Sequence, residues 1–509
     1  MLDLVMNMDR LSWKTIPEPL LIRVLGFLTV PDIANASAVC HRWCEIALDN
    51  ALWRGILRRR FRLRNPGLCL RVPGSTWREE YKRMRDNSPS VCSQELSNHT
   101  DEVLHVSFSN SGEQFVTCSK DGSVIIWRFS SDFHAELEHQ ESMRRYEWKY
   151  TWASRFNCSD TLLLVAGVVS DINGEIAVFM KTTDNEKNKS NYSILCRVSN
   201  NPYDVMGDWV SEFHFFSGRL IESPDVDGAS SALYICEANP SLSLNPDISS
   251  PYASNVIKHV VLRMQDENIN YLRCLHVTNR SMFKDDNAFT ALNNRVEFIE
   301  ELQVDAPCLQ ILTENRICLV FLSNAESLAP HLLGFCLVKP EDLSNVPFIS
   351  CPDRVINMEG HIVGLALSPD SRYLYVNVRR WPENCEPNLL ESPAIASEIE
   401  LRVVDLENLT LMNTVYSGHK GFTDSMGAFY IYIDVSKDFV GSGSEDELLF
   451  YWSRYYGCLV SELEHSACVN STAFCPSNQQ IIVTASDDHK VKVWKSRALM
   501  RNRSKSEIG

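Results

Sequence analysis

Three segments of the chain each contain a histidine, a serine and an aspartate, the residue types of a hydrolytic triad. A serine becomes a nucleophile when a histidine takes its proton and a carboxylate orients that histidine. In all three segments, however, the serine lies eight residues and the aspartate six residues before a tryptophan. Such regularity favours a structural repeat over a hydrolase. The three sets are His99, Ser119, Asp121 and Trp127; His419, Ser444, Asp446 and Trp452; and His465, Ser486, Asp488 and Trp494.

A second candidate site is the group Cys40, His41 and Cys44, because cysteine and histidine are the ligands that zinc prefers. On a helix Cys40 and Cys44 share a face, but no second Cys/His pair follows at a finger-like distance to complete a tetrahedron. We therefore expect no metal site. No phosphate loop or nucleophile motif occurs in the sequence either, so we expect no cofactor and no catalytic residue.

The run RGILRRRFRLR, from Arg54 to Arg64, contains six arginines with apolar residues between them. It could bind phosphate or direct nuclear import, but we favour a helix with a solvated basic face. The net charge of −16 argues against nucleic acid as the main partner, because binding phosphate requires a basic surface.

The composition also predicts where the protein works. No stretch approaches the ~18 to 20 uncharged apolar residues of a membrane span, so we expect no membrane partner. The 17 cysteines are scattered singly through strand-like segments rather than arranged as a disulfide framework. We therefore expect a cytoplasmic protein.

The elements that position the repeated residues are strands. VIIW, LLFYW and VKVW are strand-like, and each follows a tight turn at the Ser-x-Asp segment. We expect each set of His, Ser, Asp and Trp to form hydrogen bonds inside one four-stranded sheet, because buried polar groups need partners. These histidines would then be structural.

The repeated segments resemble WD repeats, and weaker copies near 158–179, 208–264, 295–338 and 360–408 bring the number to seven. The resemblance implies a mainly β fold, a seven-bladed β-propeller, with a strand at 93–99 completing the last blade. The weak copies contain long polar insertions, at 181–207, 237–255, 265–290 and 380–398, and such insertions often bind a target. Arg379 and Arg380, at a strand end, are candidates to contact an acidic or phosphorylated target through paired hydrogen bonds.

The amino-terminal segment predicts small helices. Apolar residues are spaced for a helix over 16–28, a second helix runs from Pro31 to Trp43, and a third short helix follows. Helices of this size cannot bury all their apolar faces in under ~50 residues, which indicates a docking module. A further helix is predicted to start near Ser75 or Thr76.

The spacing of these residues resembles an F-box. The resemblance implies docking onto an Skp-type adaptor held by a cullin scaffold. The positions that match the motif are Ile16, Pro17, Leu20, Leu21, Val24, Leu25, Leu28, Val39, Cys40, Trp43, Leu52 and Trp53. The carboxyl-terminal blade also suggests a second partner. WD-repeat receptors of a cullin-4-type ligase end a blade in Trp-Asp-x-Arg, and this chain has Trp494 and Arg497 with lysine in place of the aspartate. A propeller-type adaptor is therefore a further candidate partner.

Taken together, the motifs resemble the family of F-box/WD-repeat substrate receptors. The resemblance implies a non-catalytic subunit of an SCF-type E3 ubiquitin ligase that binds protein substrates and promotes their ubiquitination and proteasomal degradation. A non-degradative WD-repeat scaffold is the alternative, and an enzyme using the central channel ranks last. The predicted organisation is a tail at 1–12, an F-box at 13–60, a helical linker at 61–92, the propeller at 93–497 and a disordered tail at 498–509.

Overall fold

The computed structural model divides the chain into two compact units. One runs to Ser88 and includes Cys458–Val460, and the other comprises Pro89–Gly457 and Ser461 onward. No helix in the described part of the chain is long and apolar enough to cross a membrane. The described residues are 13, 16–63, 67–170, 173–184, 189–200, 207–209, 211–222, 229–238, 259–263, 273–279, 317–323, 330–338, 352–382, 394–425 and 428–506.

The amino-terminal unit is helical, and its helix starts follow the sequence signals. Pro17 precedes the first helix, where a fixed φ favours the helical turn. The Thr29 hydroxyl accepts a hydrogen bond from the Asp32 N–H at 3.4 Å, and Asp49 caps a later helix in the same way. The helices of its described residues are α1 (Glu18–Leu25), α2 (Val30–Ser37), α3 (His41–Leu48), α4 (Asn50–Arg60) and α5 (Trp77–Asp86).

The helix predicted from Pro31 to Trp43 is in fact two helices. Helix α2 ends at Ser37, and Cys40 is extended, with φ −163° and ψ 165°, before α3 begins at His41. The Ser37 hydroxyl donates to the carbonyl of Ala34 at 2.6 Å, a local bond that competes with the helical ladder. The prediction of one continuous helix was therefore wrong at this point.

Helices α4 and α5 confirm the interpretation of the arginine run and of the linker helix. The apolar residues between the arginines, from Ile56 to Leu63, are buried, while Arg59 and Arg60 are exposed. Helix α5 begins with a capping box: the Glu79 N–H donates to the Thr76 hydroxyl at 3.2 Å, and the Thr76 N–H donates to the Glu79 carboxylate at 2.8 Å.

The described residues of the second unit form seven antiparallel sheets, the blades of the propeller. The unit begins with β1 (Pro89–Leu96). Blade 1 contains β2 (Val103–Phe108), β3 (Gln114–Ser119), β4 (Ser123–Phe129) and β5 (Ala135–Ser142). Blade 2 contains β6 (Tyr150–Phe156), β7 (Leu162–Val168), β8 (Gly174–Asp184) and β9 (Lys189–Asn200), and blade 3 contains β10 (His214–Glu222), β11 (Ala229–Glu237) and β12 (His259–Arg263).

Blade 4 contains β13 (Arg273–Asn279), β14 (Ile317–Ser323), β15 (Leu332–Val338) and β16 (Arg354–Asn357). Blade 5 contains β17 (Gly360–Leu367), β18 (Tyr373–Arg380), β19 (Ile399–Asp405) and β20 (Thr410–Tyr416). Blade 6 contains β21 (Ile433–Val435), β22 (Phe439–Ser442), β23 (Leu448–Ser453) and β24 (Cys458–Glu464). Blade 7 contains β25 (Val469–Phe474), β26 (Ile481–Ser486) and β27 (Val491–Ser496), followed by β1 as its fourth strand.

The ring closes through the two ends of the unit. Strand β1 pairs antiparallel with β27, with Leu96 opposite Val491 and Cys92 opposite Trp494. The predicted closing strand is confirmed, although it starts at Pro89 rather than at residue 93. Closure matters because an unpaired strand edge exposes N–H and C=O groups to wrong partners.

The core lies between neighbouring blades. One cluster of buried side chains joins blade 7 to blade 1 and includes Leu96, Phe115, Trp127 and Val493. Similar clusters join blade 1 to blade 2, blade 2 to blade 3, and blade 4 to blade 5. Each blade therefore buries apolar area on the faces that meet its neighbours.

Three segments differ from the predicted organisation. The region 181–207, predicted to be an insertion, largely continues the β8–β9 hairpin to residue 200, and β13 lies within the predicted insertion 265–290. The first strand of the predicted copy at 295–338, residues 295–304, lies outside the described residues. The predicted disordered tail contains helix α6 (Arg497–Ser506). The Leu499 N–H donates to the Ser496 hydroxyl at 3.1 Å and its side chain packs on the blade 7–blade 1 cluster, which anchors the helix.

Closure predicts a difference between two leucines on outer strands. Leu96 on β1 is 7% exposed and belongs to the joining cluster, whereas Leu137 on β5 is 49% exposed. We expect Leu96→Ala to destabilise the propeller by about 2–4 kcal/mol, because it leaves a cavity, and Leu137→Ala to change stability by less than about 0.5 kcal/mol. Thermal unfolding followed by tryptophan fluorescence measures both. Equal melting temperatures for the two variants would contradict a closing role for β1.

Candidate functional site

The amino-terminal unit exposes several large apolar side chains, and four of them lie on α1, just after α1, or in the turn between α2 and α3. Leu20 is 54% exposed, Val24 41%, Phe27 77% and Val39 64%. Leu20 and Val24 are four residues apart on α1, so they share one face of this helix. Phe27 follows α1, and Val39 lies in the turn between α2 and α3. We call Leu20, Val24, Phe27 and Val39 the exposed apolar set. Its size suits a protein-binding surface.

The predicted adaptor-binding residues divide between the surface and the core. Pro17, Leu20, Val24, Val39 and Cys40 are exposed, so they are available to a partner. Residues that are partly buried are Ile16, Leu28 and Trp43.

Four of the predicted contact residues are wrong as contacts. Leu21 and Leu25 on α1 are 0% and 1% exposed, and Leu52 and Trp53 on α4 are 2% and 5% exposed. The Trp53 indole N–H donates to the carbonyl of Ala47 at 2.7 Å, which fixes the ring inside the unit. The amphipathic pattern of α1 turns Leu21 and Leu25 inward. All four buried residues hold the helices together rather than face a partner.

The sequence analysis missed Phe27, which is the most exposed member of the set. The residue lies one position before Leu28, which the motif includes. The signal available was the apolar pattern that runs past the end of α1, but an apolar pattern does not show which side of the chain faces out.

Aromatic contacts set the positions of the helices around this surface. The rings of Trp13 and Trp43 meet edge to face with centroids 5.6 Å apart. The Arg42 guanidinium donates to the carbonyl of Ile16, which ties α3 to the start of α1. Trp43 is partly buried, so it both holds α3 in position and forms part of the surface of the helical unit.

Blades 1 and 7 contain the predicted buried polar networks. In blade 1 the Trp127 indole N–H donates to the Thr117 hydroxyl at 3.1 Å, Thr117 bonds to His99 Nε2 at 2.8 Å, and His99 Nδ1 bonds to Asp121 at 2.9 Å. Since a carboxylate only accepts, His99 Nδ1 is the donor and Nε2 accepts from the threonine. Blade 7 repeats this chain of hydrogen bonds: Trp494 to Thr484 at 2.9 Å, Thr484 to His465 at 2.7 Å and His465 to Asp488 at 2.9 Å.

The hydroxyl in each network is a threonine and not the predicted serine. Ser119 donates to the Asp101 carbonyl at 3.2 Å and accepts from the Asp121 N–H at 3.1 Å, so it shapes the turn. Ser486 has the same role, accepting from the Asp488 N–H at 3.2 Å. The two side chains share a strand face with Thr117 and Thr484, two positions earlier, but they sit too near the turn to reach the tryptophan.

The carboxylates of these networks stay charged. Burial alone would raise the pKa of Asp121, but hydrogen bonds from His99 and Ser123 outweigh it, so the pKa lies below the usual range. Burial would likewise raise the pKa of Asp488, but the hydrogen bond from His465 outweighs the effect of burial, so the pKa of Asp488 is also lowered. The histidines are 5% and 4% exposed, so neither is open to a substrate.

Blade 6 lacks the network that the sequence predicts there. His419 Nε2 bonds to Asn377 Oδ1 of blade 5 at 3.0 Å instead of to a hydroxyl of its own blade. Ser444 bonds to the backbone of Lys420, and one oxygen of Asp446 has no hydrogen-bond partner among the described residues. The Trp452 ring still meets His419 edge to face at 5.1 Å. The prediction of a hydrogen-bonded tetrad in blade 6 was therefore wrong, because His419 is hydrogen-bonded to Asn377 of the neighbouring blade.

The two arginines predicted to contact a target are engaged within blades 5 and 6. Arg379 is 3% exposed, and its guanidinium donates to the carbonyl of Ala396 at 2.9 Å and lies 3.8 Å from the Glu445 carboxylate. The prediction for Arg379 was therefore wrong: its strand position turns the side chain inward. Arg380 is partly exposed and pairs with Glu400 at 2.9 Å, so a target would compete with that carboxylate.

The predicted contact to a second adaptor is wrong for Trp494. This side chain is 7% exposed and forms part of the blade 7 network. Burial inside the blade leaves its indole no route to a partner. Arg497 is partly exposed at the start of α6, and its role in such a contact stays a prediction.

Aromatic residues connect blades that are not neighbours. The Tyr432 hydroxyl, from the residue before β21 of blade 6, donates to the Trp152 carbonyl of blade 2 at 3.1 Å. Its ring meets His105 of blade 1 edge to face at 4.4 Å and Tyr430 at 4.7 Å. These side chains therefore pack between the first strands of opposite blades.

Removal of a network threonine hydroxyl is expected to lower the stability of the propeller, whereas removal of an exposed threonine hydroxyl is not. We expect Thr117→Val or Thr484→Val to destabilise the propeller by about 1–3 kcal/mol, because each leaves a buried indole N–H and a histidine nitrogen without their partner. Thr182→Val, on the exposed part of β8, is the matched control. Urea unfolding followed by tryptophan fluorescence compares them. If Thr117→Val and Thr484→Val were both as stable as Thr182→Val, the stabilising role of the networks would be contradicted.

Burial of His419 predicts a dependence on pH. Burial lowers its pKa to about 3, whereas the unfolded chain titrates near the ordinary ~6.5. The unfolded state thus binds the extra proton first, so the stability due to neutral His419 is complete above about pH 6.5 and is lost as the pH falls toward 3.

We expect the wild type to lose about 1 kcal/mol more stability between pH 7.5 and 5.5 than His419→Gln, measured by urea unfolding at both values. His489→Gln changes an exposed histidine of blade 7 and should keep the wild-type dependence. A wild-type dependence in His419→Gln would rule out this origin of the acid sensitivity.

Comparison with known proteins agrees with this two-part structure. The F-box-like family matches residues 13–59, and the family of WD domain, G-beta repeats matches residues 90–128 and 457–495. The family matches thus fall on the helices that present the exposed apolar set and on blades 1 and 7, which contain the complete networks.

Longer matches cover nearly the whole chain. F-box/WD repeat-containing protein 5 of Homo sapiens and of Mus musculus are each 31% identical to the chain, over 97% of its length and 96% of theirs. A WD repeat-containing protein 26 homolog of Arabidopsis thaliana is 21% identical over 80% of the chain, which spans 50% of that relative. Because this identity extends over nearly the whole chain and both families match within it, the chain belongs to the family of F-box/WD repeat-containing protein 5.

Proposed function

We propose that this chain is the substrate-recognition subunit of an SCF-type E3 ubiquitin ligase. Its F-box docks onto an Skp-type adaptor, which a cullin scaffold holds, and its propeller binds the target protein. The observation that supports the docking step is the exposed apolar set, in which Phe27 is 77% and Leu20 54% exposed. Large apolar side chains at this exposure gain free energy when a partner covers them, by about 25 cal/mol per Å² of buried apolar area.

The chemistry of ubiquitin transfer belongs to other subunits. Holding a target lysine near a charged E2 enzyme raises its effective concentration, which is a rate enhancement by proximity alone. The buried networks of blades 1 and 7 support this division of labour, because His99 and Ser119 are enclosed in the sheet and fully hydrogen-bonded. The modified target is then degraded by the proteasome, and we place this work in the cytoplasm.

The propeller suits the receptor role because its framework is independent of the surface loops. The blades are held by buried clusters between them and by the β1–β27 pairing, so loops can vary without loss of the core. Arg380 is the one predicted target contact that keeps an exposed cationic group, although binding an anion there requires displacing Glu400.

The docking step predicts that surface charges on α1 abolish adaptor binding. We expect the double variant Leu20→Asp, Val24→Asp to lose the Skp-type adaptor and the cullin in pull-downs of the full-length chain from cells. Two carboxylates would have to be desolvated in an apolar interface, which outweighs the gain from the remaining contacts. Both positions are exposed, so the helical unit keeps its fold, which circular dichroism checks.

The matched control places the same charges on the propeller. Leu411 and Val415 are 38% and 45% exposed on β20, and the Leu411→Asp, Val415→Asp variant should retain adaptor and cullin. Proteins that copurify with both variants and the wild type become target candidates. If wild type and both variants fail to bind the adaptor, the ligase function is rejected and the non-degradative scaffold takes its place.

A further inference from the structure

The helical unit contains a concentration of positive charge that adaptor docking leaves unexplained. Residues 54–86 include eleven Lys/Arg and three Asp/Glu, a net charge of +8. Because the whole chain has a net charge of −16, all other residues together carry −24. Positive and negative charges are thus segregated along the chain. Repulsion among the cations of α4 and α5 opposes the packing of these helices, so the concentration of positive charge calls for a functional reason.

Most of these cations have no carboxylate partner. Arg83 pairs with Glu80 at 2.7 Å, which accounts for one of them. Seven others form no ion pair with any residue that the structure describes, and all seven are at least partly exposed. We call these seven the basic cluster; they are Arg58, Arg59, Arg60, Arg62, Arg78, Lys82 and Arg85.

Buried aromatic rings hold part of the cluster in place. The guanidinium of Arg78 on α5 lies 5.9 Å from the ring centroid of Trp53 on α4, and that of Arg85 lies 5.9 Å from the ring of Tyr81. The Trp53 and Tyr81 rings are themselves 5.4 Å apart. The cations of the two helices are therefore neighbours on one rigid framework. Because an arginine already ordered loses less entropy on binding, the cluster is prepared for an anion.

The surroundings decide between classes of anionic partner. Single-stranded nucleic acid needs exposed rings for base stacking, but Trp53, Trp77 and Tyr81 are at most 9% exposed. A long duplex or a membrane surface requires positive charge over a surface much longer than one cluster of seven side chains, and the rest of the chain has a net charge of −24. A short acidic segment of a protein needs only a cluster of this size.

We propose that the basic cluster is a binding site for a short acidic protein segment, whose anionic groups are carboxylates or phosphoryl groups. The guanidinium fork binds either group through two parallel hydrogen bonds. Arg58, in the last turn of α4, and Arg62, just after that helix, provide the free forks, and Arg78 and Arg85 provide the ordered ones. This site is separate from the exposed apolar set and does not depend on adaptor docking.

Anisotropy of labelled peptides tests the proposal on the full-length chain. The probes are a hexaglutamate peptide, a peptide with three phosphoserines, and a hexaglutamine peptide of the same length. We expect at least one acidic probe to bind and the glutamine probe not to bind. Affinity should fall about tenfold or more when the ionic strength rises from about 0.05 to 0.3 M, because exposed charges are screened. The two acidic probes distinguish carboxylate from phosphoryl recognition.

The variant Arg58→Gln, Arg59→Gln, Arg62→Gln should weaken acidic binding about tenfold or more. None of these three arginines contacts an aromatic ring or a carboxylate among the described residues, so we expect the fold to be preserved, and a thermal melt checks this. The matched control, Arg145→Gln, Arg155→Gln, Arg372→Gln, changes net charge equally but removes arginines already paired with Glu141, Asp208 and Glu407. It should bind like the wild type.

Three results would overturn the proposal. The first is that neither acidic probe binds. The second is that both triple variants weaken binding equally, which would mean that net charge alone is responsible. The third is that a 20-base-pair DNA duplex, or vesicles containing phosphatidylserine, bind more tightly than the peptides and lose that binding in the Arg58, Arg59, Arg62 variant; the basic cluster would then belong to a different class of partner. Pull-down of the Skp-type adaptor from the same preparations reports separately on the docking function.

Discussion

A blade of this protein is apolar on both faces, and this constraint governs the rest of the structure. Such a sheet cannot bury its faces alone, so each blade needs a neighbour on either side. The clusters that join blade 7 to blade 1 and blade 1 to blade 2 give blade 1 buried contacts on both faces. The contacts of Phe439 with Phe474, whose centroids are 6.2 Å apart, do the same between blades 6 and 7. A ring satisfies every blade only when its last strand is in place.

The sequence predicted the parts of the fold that depend on local pattern. The strands before Trp127, Trp452 and Trp494, the closing strand, and the capped helix at Thr76 all follow from spacing and turn chemistry. It did not distinguish Thr117 from Ser119, because both hydroxyls lie on one face of a strand and only the distance to the tryptophan decides between them. Nor did it detect that Asn377 takes His419, since that bond joins residues far apart in the chain.

The candidate docking surface shows the same limit. The F-box spacing groups Leu20, Leu21, Val24 and Leu25 together, but a motif does not separate exposed residues from residues that support the helices. Burial makes this separation: Leu21 and Leu25 hold the helices, and Leu20 and Val24 are free to bind. The arginine run was recognised as a basic helix face, whereas the aromatic rings that order Arg78 and Arg85 come from the packing of two helices.

The pairing of β1 with β27 has a consequence for the order in which the protein is made. Helices α1 to α4 are complete within the first 60 residues of the chain, whereas β1 finds its partner only after residue 496 has been synthesised. A nascent chain therefore contains all the residues of α1 to α4 long before its ring can close. A ribosome that stops early would release a chain in which β1 has no β27 to pair with, so complete translation is itself a condition for a closed propeller.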